Sequence, residues 1–113
     1  MKMALKNENL EDIDAIVMHA PGTIKGDLTE LRAIEKVFGL KLPLLTTNKW
    51  KIGHTFGASG ILSLELALLM MQHDTFVAVP FGEKQTQVKS IKKVLINAVG
   101  FGGNAVSILI EKR

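Results

Sequence analysis

Two histidines, a lysine and a run of glycines are the residues of this chain best suited to chemistry. His19 stands in His19-Ala-Pro-Gly-Thr23, Lys49 and His54 in Asn48-Lys-Trp-Lys-Ile-Gly-His54, and the glycines in Gly100-Phe-Gly-Gly103. A neutral imidazole can donate an N–H to a carbonyl oxygen or accept a thiol proton. His54 is expected just before a helix start, where the positive end of the helix dipole disfavours the imidazolium. Lys49 supplies a fixed positive charge with Glu30 as a candidate partner, the alternative being an ordinary surface salt bridge. Glycines 100, 102 and 103 let a backbone N–H approach a reacting oxygen, as an oxyanion hole requires, but the same run also suits a tight hairpin with a bulge. A phosphate cradle would need a helix after Gly103, and none is expected there. Two histidines without a nearby Asp or Glu at ligand spacing make a poor ligand set, so no metal is expected. His73, in the last turn of a helix, suits the dipole and reads as structural.

The elements that position these residues follow from period and punctuation. Met1, Ala4 and Leu5 have helical spacing, and Asn7–Asn9 ends that segment. Residues 13–18 read as a buried strand running into the His19 loop. Asp27 is a candidate cap for a helix to about Phe38, with Glu30 at the capping-box offset and Gly39 at its end. Pro43 to Thr47 reads as a short strand, followed by the polar loop that holds Lys49 and His54. The main helix is expected from Gly57 to about His73, a strand at Thr75 to Val79, and a loop from Pro80 to Gln87. Lys93 to Val99 and Ala105 to Ile110 read as strands joined by the glycine turn, hence antiparallel. Such alternation indicates an α/β layered domain with a mostly parallel sheet. Loops after parallel strands meet at the sheet's carboxyl edge, where open α/β sheets bind ligands. All three chemistry-bearing loops fall there.

Composition narrows the function classes. The chain has 113 residues, enough for one domain, with 47% hydrophobic and 22% charged residues; that balance is globular. A mean hydropathy of +0.23 argues against disorder. The net charge of +3 is small. The few aromatics do not interleave with a basic stripe, so nucleic acid is not expected as a partner. The one dense basic stretch, Lys89 to Lys93, reads as a solvated strand entrance. The apolar stretch from Ile61 to Met71 is interrupted by Glu65 and too short to span a membrane. With no secretion signal at the N-terminus, a cytoplasmic location is expected. The chain contains no cysteine, which excludes disulfides, thiolate metal sites and a cysteine nucleophile on these residues.

Three blocks resemble the C-terminal half of the β-ketoacyl-acyl-carrier-protein synthases of the thiolase fold. His19-Ala-Pro-Gly-Thr-Ile-Lys-Gly-Asp27 is similar to the family's H-G-T-S-T-P-x-G-D loop, with Glu30 on its following glutamate. Residues 47–60 are similar to T-K-x-x-x-G-H-x-x-G-A-A-G, with Asn48 in place of the threonine before the lysine. Asn97-Ala-Val-Gly-Phe-Gly-Gly103 is similar to N-S-F-G-F-G-G. The likeness runs the length of the chain. Departures are Ala20-Pro21-Gly22 for Gly-Thr-Ser, Asn104-Ala105 for Thr-Asn, and a shorter segment before Asn97.

The resemblance implies a thiolase-like half domain over residues 1–113, with a mostly parallel five-stranded sheet, an antiparallel last strand and covering helices. It implies a decarboxylating Claisen condensation of acyl and malonyl-carrier protein, in fatty acid or polyketide synthesis. His19 and His54 would be the catalytic histidines and Lys49 a supporting lysine acting through Glu30. The Phe101 N–H would serve an oxyanion hole and its ring a gate, with Gly100 and Gly102 shaping the turn; Thr23 would bind pantetheine. No separate cofactor is implied, because the substrates ride on the phosphopantetheine of acyl carrier protein, which becomes the expected partner. The nucleophilic cysteine belongs to the family's N-terminal half, so this chain alone is expected to be inactive. The alternative is a non-catalytic, chain-length-factor-like or carrier-protein-docking subunit. The helix from Gly57 to Met71 is apolar on nearly every face, so the chain alone should expose an apolar patch and form homo-oligomers.

Overall fold

A computed structural model describes residues 1–82 and 90–113. Strands β1 (Ala15–Val17), β2 (Leu44–Thr46), β3 (Lys93–Val99) and β4 (Ala105–Glu111) alternate with helices α1 (Ile24–Phe38), α2 (Lys49–Ile52) and α3 (Ser59–His73). The sheet order is β2-β1-β3-β4. β1 lies parallel to both β2 and β3, with Ile16 opposite Leu45 and Leu95, while β3 and β4 are antiparallel. All three residues of β1 are buried. A parallel strand covered on both faces needs that continuous apolar run.

Alternation along the central strands divides the core in two. Ala15, Val17, Val94 and Ile96 meet Ala67, Met70 and Met71 of α3. Ile16 and Leu95 point the other way, onto Ile34 of α1 and onto Leu5 and Ile13. Helix α3 buries small residues, Ser59, Ser63 and Ala67, ahead of Met70 and Met71. A Cβ on Gly60 would lie 3.5 Å from the Ala98 methyl, so the helix sits close to the sheet where its side chains are small. Its large residues face outward: Ile61, Leu68 and Leu69 are 64%, 52% and 46% exposed. The expected apolar surface is therefore present, and Val106 and Ile108 of edge strand β4 add to it.

Four expectations need correction. The sheet has four strands among the described residues, because residues 75–79 form none. The Val77 carbonyl accepts from Thr46 Oγ1 and its N–H points to Met70 Sδ, so side chains take the groups a ladder would use. Residues 1–7 make turns rather than a helix, although Leu5 is buried and Met1 and Ala4 pack beside it. Helix α1 starts one turn early, capped by Thr23, whose Oγ1 accepts the Gly26 N–H. A Cβ on Gly26 would lie 2.6 Å from that oxygen, so glycine is what lets the cap close. Asp27 lies inside the helix and its Oδ1 accepts the Gly22 N–H. Finally, Lys93 is not a solvated charge, since it pairs with Glu8 and Glu111 at 14% side-chain exposure. Lys89, and most of the loop expected from Pro80 to Gln87, lie outside the described residues.

Candidate active site

β1 delivers His19 at its carboxyl end and β2 delivers Lys49, while His54 sits in the turn that leads to α3. Sequence positions 35 residues apart thus become neighbours. The His19 and His54 rings meet edge to face, with centroids 5.0 Å apart and planes at 83°. Phe101, from the β3–β4 turn, stacks over His54 at 6.5 Å, and Phe56 stands 5.5 Å from the same ring. An open groove of about 1070 Å3 runs past both histidines, Thr23, Glu30, Phe101 and Asn97.

Hydrogen bonds fix how the rings can act. His54 Nδ1 accepts the Phe56 N–H at 3.1 Å. A nitrogen that accepts an N–H carries no proton of its own, so the ring proton stands on Nε2. Phe56 opens the one-turn helix Phe56–Ala58 that precedes α3. His54 therefore lies just ahead of a helical turn, as expected, five residues before α3, and the N–H of that turn's first residue fixes its ring. His19 is 7% exposed, and its Nδ1 has no hydrogen-bond partner among the described residues. Burial and the charge of Lys49 hold the His19 pKa below its ordinary 6.5, with Glu30 opposing them.

Glu30 and Lys49 do not form the expected ion pair. Glu30 Oε1 accepts the backbone N–H of His19 at 2.9 Å, and its Oε2 that of Ala20 at 2.8 Å. Lys49 is buried, and its Nζ has no hydrogen-bond partner among the described residues. Burial pushes its pKa below 10.5, while the field of Glu30 raises it. The two residues interact through space, and the glutamate's hydrogen bonds go to the histidine loop. Lys49 is not among the groove-lining residues, whereas both histidines are.

Two residues escaped sequence reasoning. Asn97 is 5% exposed and donates from Nδ2 to Glu30 Oε1 at 3.1 Å. Ser107 Oγ donates to Asn97 Oδ1 at 2.8 Å. The signal was an amide in a buried strand, which must find partners. Thr23 lines the groove, and since its Oγ1 accepts from Gly26 its hydroxyl proton remains available to a ligand. Gly100 N–H closes the β3–β4 turn onto the Asn104 carbonyl at 2.8 Å, so the glycine run forms the hairpin expected of it. Gly102 and Gly103 hold φ of 92° and 88°, where a side chain is disfavoured. Phe101, in that turn, is 87% exposed. Among the described residues no group of three or more His, Asp or Glu is placed to hold a metal. His73 is exposed and does not line the groove.

Backbone strain flanks both histidines. Ala20 has φ 28°, and Thr55 and Phe56 have φ 57° and 46°. A β-branched residue in the left-handed region is a genuine outlier. Thr55→Gly is expected to stabilise the chain by about 1 kcal/mol, relief of strain outweighing the entropy of a new glycine. Calorimetry should show the midpoint rising by a few degrees; a fall would mean that the threonine conformation costs nothing.

Residues 1–83 match the β-ketoacyl synthase C-terminal domain. The chain is 35% identical to 3-oxoacyl-[acyl-carrier-protein] synthase 1 of Buchnera aphidicola subsp. Acyrthosiphon pisum, over 99% of this chain and 30% of that protein. It is 31% identical to the protein of that name from Escherichia coli K12, again over 99% of this chain and 30% of the other. A chain of the solved complex of a ketosynthase with its chain length factor, from Xenorhabdus doucetiae, superposes with a TM-score of 0.86 at 25% identity, over 100% of this chain and 32% of that one. The chain spans about 30% of the length of these curated relatives.

Proposed function

The chain belongs to the β-ketoacyl synthases, whose C-terminal domain it carries, and from that premise we propose that it supplies the histidine side of a decarboxylating condensation site. The observation that carries the reading is the pair of adjoining imidazoles in one groove. The acyl group is held as a thioester on a cysteine outside these 113 residues. Malonyl-carrier protein enters the groove, its pantetheine arm within reach of the Thr23 hydroxyl. Cleavage of the bond to the malonyl carboxylate releases CO2 and leaves an enolate. His54 Nε2–H, together with His19, stabilises the enolate oxygen. The enolate carbon attacks the acyl thioester, and the developing oxyanion takes the N–H of Phe101. Collapse expels the cysteine thiolate and leaves the 3-oxoacyl chain on the carrier. Lys49 contributes a positive field, and Glu30 holds the His19 loop.

Residues 1–113 form one unit under this reading. A cysteine-bearing half, in the same protein or a separate chain, covers the outward Ile61, Leu68 and Leu69 of α3. Among the described residues no helix is long and apolar enough to cross a membrane. A chain-length-factor-like subunit is the second reading, and the Xenorhabdus complex is the observation that favours it. A subunit that only shapes a pocket has little need of His19, Lys49 and His54 together.

The chain alone should neither accept an acyl group from acyl carrier protein nor condense it. Co-expression with the N-terminal half of a ketosynthase relative should restore formation of 3-oxoacyl-carrier protein. Acyl transfer to the chain by itself, or a restored complex whose rate ignores His19→Ala and His54→Ala, would sink the enzyme reading and favour the second.

A further inference from the structure

We propose that Asn97 and Ser107 are positioning residues for His19, acting through Glu30. The backbone on both sides of the His19 side chain is tied to one carboxylate: His19 N–H to Oε1, Ala20 N–H to Oε2. Ala20 is held at φ 28°, so this loop needs an external restraint to keep its shape. The carboxylate ends a side chain with three rotatable bonds on α1, which is a loose anchor unless something fixes it. Asn97 Nδ2 fixes it, donating to Oε1 from β3. Asn97 is in turn oriented from β4. Asn97 and Ser107 face each other across the β3–β4 ladder, and the Ser107 hydroxyl donates to Oδ1. With its oxygen engaged there, the amide must present its NH2 to Glu30. Without the hydroxyl the amide is free to turn, and its oxygen would then face the carboxylate. The relay thus runs from edge strand to histidine across three elements, and every link is a hydrogen bond of 3.1 Å or less. Its relevance to catalysis rests on the function proposed above; the relay itself does not.

Hydrogen exchange of the His19 and Ala20 amides, followed by NMR on the full chain, tests it. Asn97→Ala and Ser107→Ala should each speed exchange at these two amides about tenfold, as loss of one charge-assisted hydrogen bond would. The Met18 amide, bonded to the Thr46 carbonyl, should stay protected in both variants and reports that the fold is intact. Ser107→Thr keeps the hydroxyl and should restore wild-type exchange. In the reconstituted enzyme Ser107→Ala should lower kcat about tenfold and leave KM unchanged. Unchanged exchange in both alanine variants overturns the inference. So does faster exchange with kcat untouched in an enzyme that His19→Ala inactivates. A His19→Ala enzyme of full activity overturns the proposed function instead, whatever the exchange rates.

Discussion

Alanine at His19 or His54 is expected to lower the condensation rate of the enzyme assembled around this chain by about 10²- to 10⁴-fold, the range typical of a positioned proton donor or acceptor. The size of the loss follows from what each ring has left to offer. His54 has its Nδ1 occupied by the Phe56 N–H, so only Nε2–H can face a substrate oxygen. His54→Gln retains an N–H donor of similar reach and should recover part of the loss, whereas His54→Phe keeps the stacking on Phe101 and should recover none. The double variant should be little worse than either single one, because two donors to one oxygen act as a unit. Strictly additive losses would argue that the rings serve different atoms.

The contribution of His19 also depends on pH. Burial, then the positive charge of Lys49, hold the His19 pKa below 6.5. The imidazole is neutral at pH 7 and stays neutral somewhat below that. As pH falls, the unfolded chain takes up this proton near 6.5 and the folded chain only lower. The contribution of His19 to stability is therefore complete above pH 6.5 and is lost as pH drops through its folded value. Condensation should fall in the same window, and His19→Ala should remove that component of the acid loss of stability. A His19 resonance titrating at or above 6.5 in the folded chain would contradict this.

How legible was the site? Lys93–Val99 could be bounded from sequence because an apolar run stands between a charge and a glycine turn, and the structure has the same ends. The convergence of His19, His54 and Phe101 was legible because loops that follow parallel strands share an edge. Side-chain pairing was less so. Glu30 and Lys49 invite an ion pair by charge alone, yet three nearby donors, two of them backbone, reach the carboxylate. Sequence cannot rank a backbone N–H against a lysine for the same acceptor. The start of α1 was obscured for a related reason: Thr23 caps it only because Gly26 leaves room, a spatial fact behind a pattern that resembles a loop. Thr75–Val79 has strand composition, but its carbonyl and amide at Val77 are taken by Thr46 and Met70 side chains. Local propensity lost there to tertiary contacts.

Lys49→Met should make the folded chain more stable and the assembled enzyme slower. The ammonium is buried without a hydrogen-bond partner among the described residues, and its pKa is depressed chiefly by that burial. A buried polar group without a partner costs about 1–3 kcal/mol on the scale of protein mutations. Methionine fills a similar volume with no charge to desolvate, so the melting midpoint should rise by about 4 °C or more for each kcal/mol recovered. The pH dependence gives the sign independently. Between the folded pKa and 10.5 the unfolded chain binds a proton that the folded chain resists, so the lysine costs most at neutral pH. The advantage of methionine should then shrink as pH rises towards 10.5. Activity should move the other way, because the cation disfavours a charged His19 and favours negative charge nearby. In Lys49→Met the His19 pKa should rise towards 6.5 while the condensation rate falls. A lower midpoint in the variant would show that the ammonium is compensated after all; an unmoved His19 titration would show that its field does not reach the ring.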